Sequence, residues 1–339
     1  VLYLGPRQKG HHPHRGNRIV INHVFDIPIK FADGADIFFF GDEQEYSEGF
    51  DAKGEAWQAF VAEWKRSKNP WGVHMGDAMD WIRPTMRDAV GSVLLKDPSA
   101  KRQLDNMVRD LIDKTADRLS FTKGRLIGMH EGHHDYEFLG GLNATMLLAE
   151  KLKSINLGWM AATRLSLLIQ KHGGSGGYSF TMATTHGNAG GRATTSVAAS
   201  MERSLKDYVC DLKVAGHACR SASWVPEKFR WIKRSGAAGI VDVMPRHLLV
   251  GGFCDAYTDG WTSTPTKDPD SGRMIGGRPK SGYAERRNLT AQPLMWGVVR
   301  IKVVQRIGPN REVGKKDRSP SIDIEAVNRG PSVRENGEW

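Results

Sequence analysis

Residues 37–44 read IFFFGDEQ: a short, uniformly apolar run is stopped by a glycine and followed at once by two acids and an amide. The same ending recurs four more times. GVHMGDAMD (72–80), RLIGMHEGHHD (125–135), FTMATTHGN (180–188) and LKVAGHAC (212–219) each place acids or imidazoles just after a hydrophobic run. Open α/β sheets hold ligands and catalytic groups in the crevice at the carboxyl ends of their strands. Five such endings in one chain imply a site built by the fold itself and not by a single loop.

Strand-like runs fall at 18–23, 36–41, 72–74, 125–129, 165–170, 179–185, 212–215, 247–251 and 296–304. Helical periodicity is best over 54–66, 99–118, 145–153 and 196–207. Short apolar runs alternating with helical patterns are the signature of an α/β layered fold. Residues 1–16 and the stretch from about Pro309 to Trp339 are polar and dotted with Gly, Pro and charge. They read as an N-terminal arm and a basic, mobile C-terminal tail around one domain over 17–308.

A chain of 339 residues with 40% hydrophobic and 25% charged residues can bury a sizeable core. No run approaches the roughly 18 apolar residues that a membrane-spanning helix needs. The opening residues place their charges after a short apolar stretch, the wrong order for a secretory signal. Three cysteines, Cys210, Cys219 and Cys254, cannot form a paired framework, so an intracellular, cytoplasmic compartment is expected.

The net charge of +10 is localised. Residues 220–234 (RSASWVPEKFRWIKR) carry an excess of four positive charges and residues 267–339 an excess of six, which together account for the whole of the +10. A basic surface of this kind favours polyanionic partners, with a solvated face plus a charged tail as the plain alternative.

Taken singly, each strand ending has an ordinary explanation: a polar turn at 42–44, a helix N-cap at Asp77, a surface loop at 131–135, turn histidines at His186 and His217. Taken together they match a chemical inventory. Two divalent ions about 3.5–4 Å apart need a bridging carboxylate, several N or O donors, and open positions for water and a phosphate oxygen. Asp42, Gln44, Asp77, His133, His186, His217 and Cys219 supply such donors, with His134 beside them. Such ligands suit Mn²⁺, Fe²⁺ or Zn²⁺. His74 and His130 alternate with apolar residues and read as packing residues or as residues standing behind the ligands, not as ligands. The His11, His12 and His14 cluster lies in the N-terminal arm.

The order and spacing of these segments resemble the calcineurin-like metallophosphoesterase superfamily, whose pattern runs D-x-H, G-D-x-x-D, G-N-H-D/E, a lone His, and G-H-x-H. Here the segments read DEQ (42–44), GDAMD (76–80), GHHD (132–135), His186 and GHAC (216–219). The resemblance covers roughly residues 33–255, and HGNAGGR after His186 looks most like phage-encoded Mre11-like members. It implies a four-layer sandwich of two mixed β-sheets flanked by helices, and two divalent ions. One ion would take Asp42, Gln44, Asp77 and Cys219, and the other Asp77, His133, His186 and His217. Asp77 would bridge, His134 would stand next to the leaving oxygen, and Asp80 and Asp135 would stand behind the ligands, Asp80 orienting an imidazole. Gln44, His133 and Cys219 depart from the residues usual at their positions.

The reaction so implied is metal-assisted hydrolysis of a phosphate ester. Nucleic acid is the preferred substrate, from the aromatic-interleaved strip holding Arg220, Trp224, Lys228, Phe229, Arg230, Trp231, Lys233 and Arg234. Those aromatics read equally well as the core of a β-hairpin. Arg192, after Gly190 and Gly191, could fork onto a phosphate. The rival readings are a small-molecule phosphatase or nucleotide phosphodiesterase, and a degenerate, non-catalytic module of the same fold.

Overall fold

The computed structural model describes residues 24–31, 34–45, 54–80, 97–138, 140–171, 174–187, 194–217, 222–224, 229–234, 237–242, 246–253, 266–267, 274–275, 295–305 and 320–330. The first strands are β1 (Val24–Phe31), β2 (Gly34–Phe40), β3 (Pro70–His74), β4 (Leu126–His130), β5 (Asn156–Gly158), β6 (Met160–Lys171), β7 (Gly174–Thr185) and β8 (Leu212–Ala215). They are followed by β9 (Ala222–Trp224), β10 (Phe229–Arg234), β11 (Ala237–Asp242), β12 (Arg246–Leu249), β13 (Thr266–Lys267), β14 (Met274–Ile275), β15 (Trp296–Gln305) and β16 (Pro320–Arg329). The helices are α1 (Glu55–Arg66), α2 (Pro98–Arg118), α3 (Ala144–Lys151) and α4 (Thr194–Ser204).

Two six-stranded mixed sheets carry the fold, in the orders β16-β15-β2-β3-β4-β5 and β1-β6-β7-β8-β12-β9. In the first, β2 to β5 run parallel, with β15 antiparallel to β2 and β16 antiparallel to β15. In the second, β7, β8 and β12 run parallel, β6 opposes β7 but is parallel to β1, and β9 opposes β12. The hairpin β10–β11 and the short pair β13–β14 stand as separate two-stranded sheets.

Strand alternation sorts the core into three layers. On β2, Phe38 and Phe40 pack with Trp57, Phe60 and Trp64 of α1 and with Val108, Ile112 and Leu148 of α2 and α3. Ile37 and Phe39, on its other face, meet Leu165, Phe180, Met182, Leu212, Val214 and Leu248 of the second sheet. Ala183, Ala215 and Leu249, on the outer face of that sheet, meet Val197, Met201 and Leu205 on and just after α4. The layers are therefore helices, sheet, sheet, helix: the expected four-layer α/β sandwich. IFFF is uniformly apolar because β2 is covered on both faces.

Local chemistry starts and stops the helices. Trp57, Phe60 and Trp64 recur at the spacing of one helix face, and burying each such aromatic contributes roughly 1.5–3 kcal/mol. Asp97 accepts the Ser99 and Ala100 N–H groups at 2.9 and 3.1 Å ahead of Pro98, a residue suited to a first turn. Asn143 accepts the Met146 N–H at 2.7 Å at the start of α3. Lys213, buried on the outer face, donates from Nζ to the Leu205 carbonyl at 2.5 Å just after α4.

Two parts of the sequence reading need adjustment. The run at 18–23 lies outside the described residues, and the edge strand that is seen, β1, had no assignment because Pro28 interrupts its pattern. Proline is tolerated at a sheet edge, where an N–H is not needed. Pro320–Arg329, read as part of a mobile tail, forms β16 along the whole of β15. Its Asp323, Glu325 and Arg329 suggest an arm, yet on an edge strand alternate residues can stay charged. Among the described residues, no helix is long and apolar enough to cross a membrane.

Candidate metal centre

The loops after β2 and β3 continue the strand pairing as irregular backbone. Asp42 N–H donates to Gly76 O at 2.9 Å, Gln44 N–H to Asp77 O at 2.9 Å, Glu45 N–H to Ala78 O at 3.0 Å and Asp80 N–H to Glu45 O at 2.9 Å. Asp42, Gln44, Asp77 and His217 all have φ between 46° and 66°, the left-handed region, and account for four of the five such non-glycine residues among those described. Each costs about 1–2 kcal/mol and persists only where the surroundings over-determine it. Backbone strain is thus concentrated on residues that the sequence singles out as ligands.

Two glycines of the motifs are required by close approach. A Cβ on Gly132 would lie 1.9 Å from Asp77 Oδ1. One on Gly76, at φ +105°, would lie 2.5 Å from His186 Nδ1.

These loops bring Asp77, His133, His186 and His217 together, with one ligand atom of each lying within 4.8 Å of all the others. His186 Nε2 is 3.2 Å from Asp77 Oδ2 and 3.1 Å from His133 Nδ1. The rings of His133 and His217 are 4.1 Å apart, and those of His186 and His217 4.9 Å. His186 Nδ1–H donates to Met75 O at 2.7 Å, which turns Nε2 toward the group.

The electrostatics follow from burying acids and imidazoles side by side. Burial pushes Asp42 up to about 7, reinforced by Asp77 and Glu43 and opposed by His186 and the His217 N–H. Burial also pushes Asp77 up, but the hydrogen bond and charge of His186, with His134, outweigh it and hold Asp77 below the usual carboxylate range. For His186, burial is overcome by Asp77 and Asp42, raising it to about 9. Burial and the neighbouring His186 and His133 lower His217 to about 4, so it is a neutral imidazole at neutral pH, the form that binds metals.

His134 stands beside the group. Its N–H donates to Asp77 Oδ1 at 2.9 Å, its Nδ1–H donates to Asp80 Oδ1 at 2.7 Å, and its Nε2 is 4.0 Å from Asp77 Oδ2. Asp80 thus touches an imidazole. Asp135 turns elsewhere: it accepts the Tyr136 and Thr145 N–H groups at 2.9 and 3.2 Å and so anchors the start of α3. Asp42 Oδ2 accepts the His217 N–H at 2.9 Å, tying the two sheets together. Its Oδ1 is buried without a hydrogen-bond partner among the described residues. Gln44 enters through its strained backbone and its N–H. Cys219, Arg192, Arg220 and Lys228 lie outside the described residues. Arg230, Trp231, Lys233 and Arg234 fall on β10, in the hairpin paired with β11.

His130 is buried inside the fold. Burial lowers it to about 3, its Nδ1–H donates to Gly158 O at 2.8 Å, and Nε2 accepts the Thr184 hydroxyl at 2.8 Å. Two features escaped the sequence. Trp159, half-buried, stands edge-to-face with His133 at 4.5 Å and with His186 at 5.2 Å. Glu43 and His74 form a buried pair behind the loops. A search for acids and imidazoles at strand ends passes over the first; the only signal for the second is an acid between two candidate ligands.

The donor set fits a divalent transition metal. Three imidazoles and a carboxylate within 4.8 Å match the nitrogen and oxygen ligands of Zn²⁺, Fe²⁺ or Mn²⁺. The partnerless Asp42 Oδ1 is a buried acceptor that a cation beside it would satisfy.

No protein-family model and no curated protein matches the chain. Among solved structures it is similar to wild-type Vps29 complexed with Zn²⁺ from Entamoeba histolytica, at 11% identity and TM-score 0.34, over 86% of this chain and 98% of that one. It is also similar to the calcineurin-like phosphoesterase YfkN from Bacillus subtilis, at 11% identity and TM-score 0.31, over 88% of this chain and 91% of that one. Both likenesses are remote.

Proposed function

We propose that this protein is a metal-dependent hydrolase of phosphate esters of the calcineurin-like type, acting as a phosphodiesterase on nucleic acid. The observation that carries the reading is the convergence of Asp77, His133, His186 and His217 from loops of both sheets. One divalent ion would be held by these four residues. A second would be held by Asp42, Gln44, Asp77 and Cys219, with Asp77 shared. When bound, such ions polarise the phosphoryl oxygen and supply hydroxide near neutral pH.

The chain's own residues do the rest. Asp80 holds Nδ1 of His134, which leaves Nε2 as the atom that carries a proton to the leaving oxygen. The hydrogen bond from His186 Nδ1–H to Met75 O keeps the His186 ring from rotating away. Arg192, Arg220 and Lys228, together with Arg230, Trp231, Lys233 and Arg234 of β10, bind the substrate backbone and stack on unpaired bases. The basic, aromatic-interleaved composition of 220–234 supports this part of the reading.

A substrate comparison in defined salt tests it. Hydrolysis of single-stranded DNA is expected to need added divalent metal and to weaken steeply in KM between 50 and 200 mM salt, as counterion release requires. Bis-p-nitrophenyl phosphate should show little salt dependence. Equal salt insensitivity for both would replace nucleic acid with a small phosphodiester as the substrate, and hydrolysis undiminished by chelator would end the metal mechanism.

A further inference from the structure

Glu43 lies between two proposed ligands, and His74 ends the strand that leads to a third. Both side chains are fully buried, and His74 Nε2 is 2.9 Å from Glu43 Oε2. The Gly76 N–H donates to His74 Nδ1 at 3.2 Å. That nitrogen must therefore be an acceptor, so the ring proton sits on Nε2 and is donated to Glu43. The result is a single hydrogen-bonded path from the backbone of Gly76, through the imidazole, to the loop that carries Asp42 and Gln44. The Phe40 ring stands edge-on to His74 at 5.1 Å and holds it in place.

The pair sits where rigidity is needed. Asp42 and Gln44 flank Glu43, and Asp77 follows Gly76; all three are left-handed, at φ 50°, 46° and 52°. Left to themselves these residues relax to ordinary backbone, and their donors turn away from the site. Among the described residues, the other hydrogen bonds between the two loops are main-chain ones. A buried polar pair is a poor way to stabilise a core, because matched apolar residues do as well or better. What it does supply is a fixed spacing between two loops.

We propose that Glu43 and His74 are positioning residues for the metal centre, clamping the Asp42–Gln44 loop to the Gly76–Asp77 loop so that their carboxylates are pre-set for divalent ions. The inference rests on the metal reading above, and its test separates the two. Three proteins are compared: wild type, Glu43→Gln, and the double variant Glu43→Leu/His74→Phe, which removes the pair without leaving a buried charge unpaired. Zn²⁺ and Mn²⁺ are titrated by calorimetry, and amide hydrogen exchange of the metal-free proteins is followed at Asp42, Gln44, Gly76 and Asp77.

Glu43→Gln, which keeps an acceptor for Nε2–H, should bind metal within about threefold of wild type. The double variant should bind roughly 10–100-fold more weakly, the usual loss when a group supporting a ligand is removed. Its four amides should exchange faster while those of β7 and β8 do not change. Wild-type affinity and unchanged exchange in the double variant would overturn the clamp. If wild type itself binds neither ion, the metal reading fails, and the exchange rates still decide whether the pair holds the loops. Should the double variant not fold, Glu43→Leu alone carries the same comparison, since it removes the acceptor and leaves His74 on Gly76.

Discussion

On its imidazole side the candidate centre draws His133 from the loop after β4 in one sheet and His186 and His217 from the ends of β7 and β8 in the other, whereas Asp42 and Gln44 come from a single loop after β2. The imidazole side is held by side chains. Met75 O fixes His186, the rings of His133 and His217 lie against each other, and Trp159 closes one flank. The Asp42 side is held by its loop: two left-handed residues, main-chain bonds to the next loop, the buried Glu43–His74 pair, and a carboxylate whose Oδ1 is buried without a hydrogen-bond partner among the described residues. The contrast teaches that one half of the centre is pre-formed by packing, while the other depends on a strained loop being kept in place. Metal affinity should therefore be unequal between the halves.

Asp77 is assigned to both, and its loss should have the largest effect. Asp77→Ala should abolish hydrolysis of bis-p-nitrophenyl phosphate and remove both ions while circular dichroism stays that of a folded protein. Retained activity with unchanged metal content would dissolve the distinction between the halves altogether.

His134→Ala should leave both halves loaded, because the residue is assigned no metal. Steady-state kinetics should show kcat lower by roughly 10²–10⁴, the range for a lost positioned acid, with elemental analysis unchanged. Loss of metal would mean that His134 and not His133 completes the imidazole side.

A smaller effect is expected from Asp80→Ala, which removes the partner of His134 Nδ1 but touches no reacting atom. A fall in kcat of about 10–100-fold, with KM and metal content steady, is the expected result. A fall as large as that of His134→Ala would make Asp80 a direct participant.

The mildest test sharpens the contrast most. Cys219→Ser should weaken only the ion shared by Asp42 and Gln44, and Cys219→His should raise Mn²⁺ occupancy there, since a thiolate favours softer ions. Calorimetric titration should show the site of His133, His186 and His217 unmoved in both variants. Stoichiometry near one in all three proteins would show a mononuclear centre.

Much of this was legible in the chain because strand endings are local. IFFFGDEQ and GVHMGDAMD announce both the strand and the polar residues at its end, and the four helical segments read from periodicity overlap α1 to α4 closely. The glycines of GD and GHH were visible as motif letters, but their reason, a missing Cβ beside Asp77 Oδ1 or His186 Nδ1, was not.

What the sequence determined by itself was the layered α/β class, the positions of most buried strands and the roster of candidate donors, because burial pattern and residue type are written in neighbouring positions. Only the tertiary structure decided which donors meet. His133, His186 and His217 come from separate loops, and whether their rings converge depends on how two sheets face each other. The same holds for β16, whose charged letters become a strand only beside β15, and for Trp159 and the Glu43–His74 pair. Their partners lie far along the chain, and contacts between distant segments are set by packing the sheets together, a step no local pattern encodes.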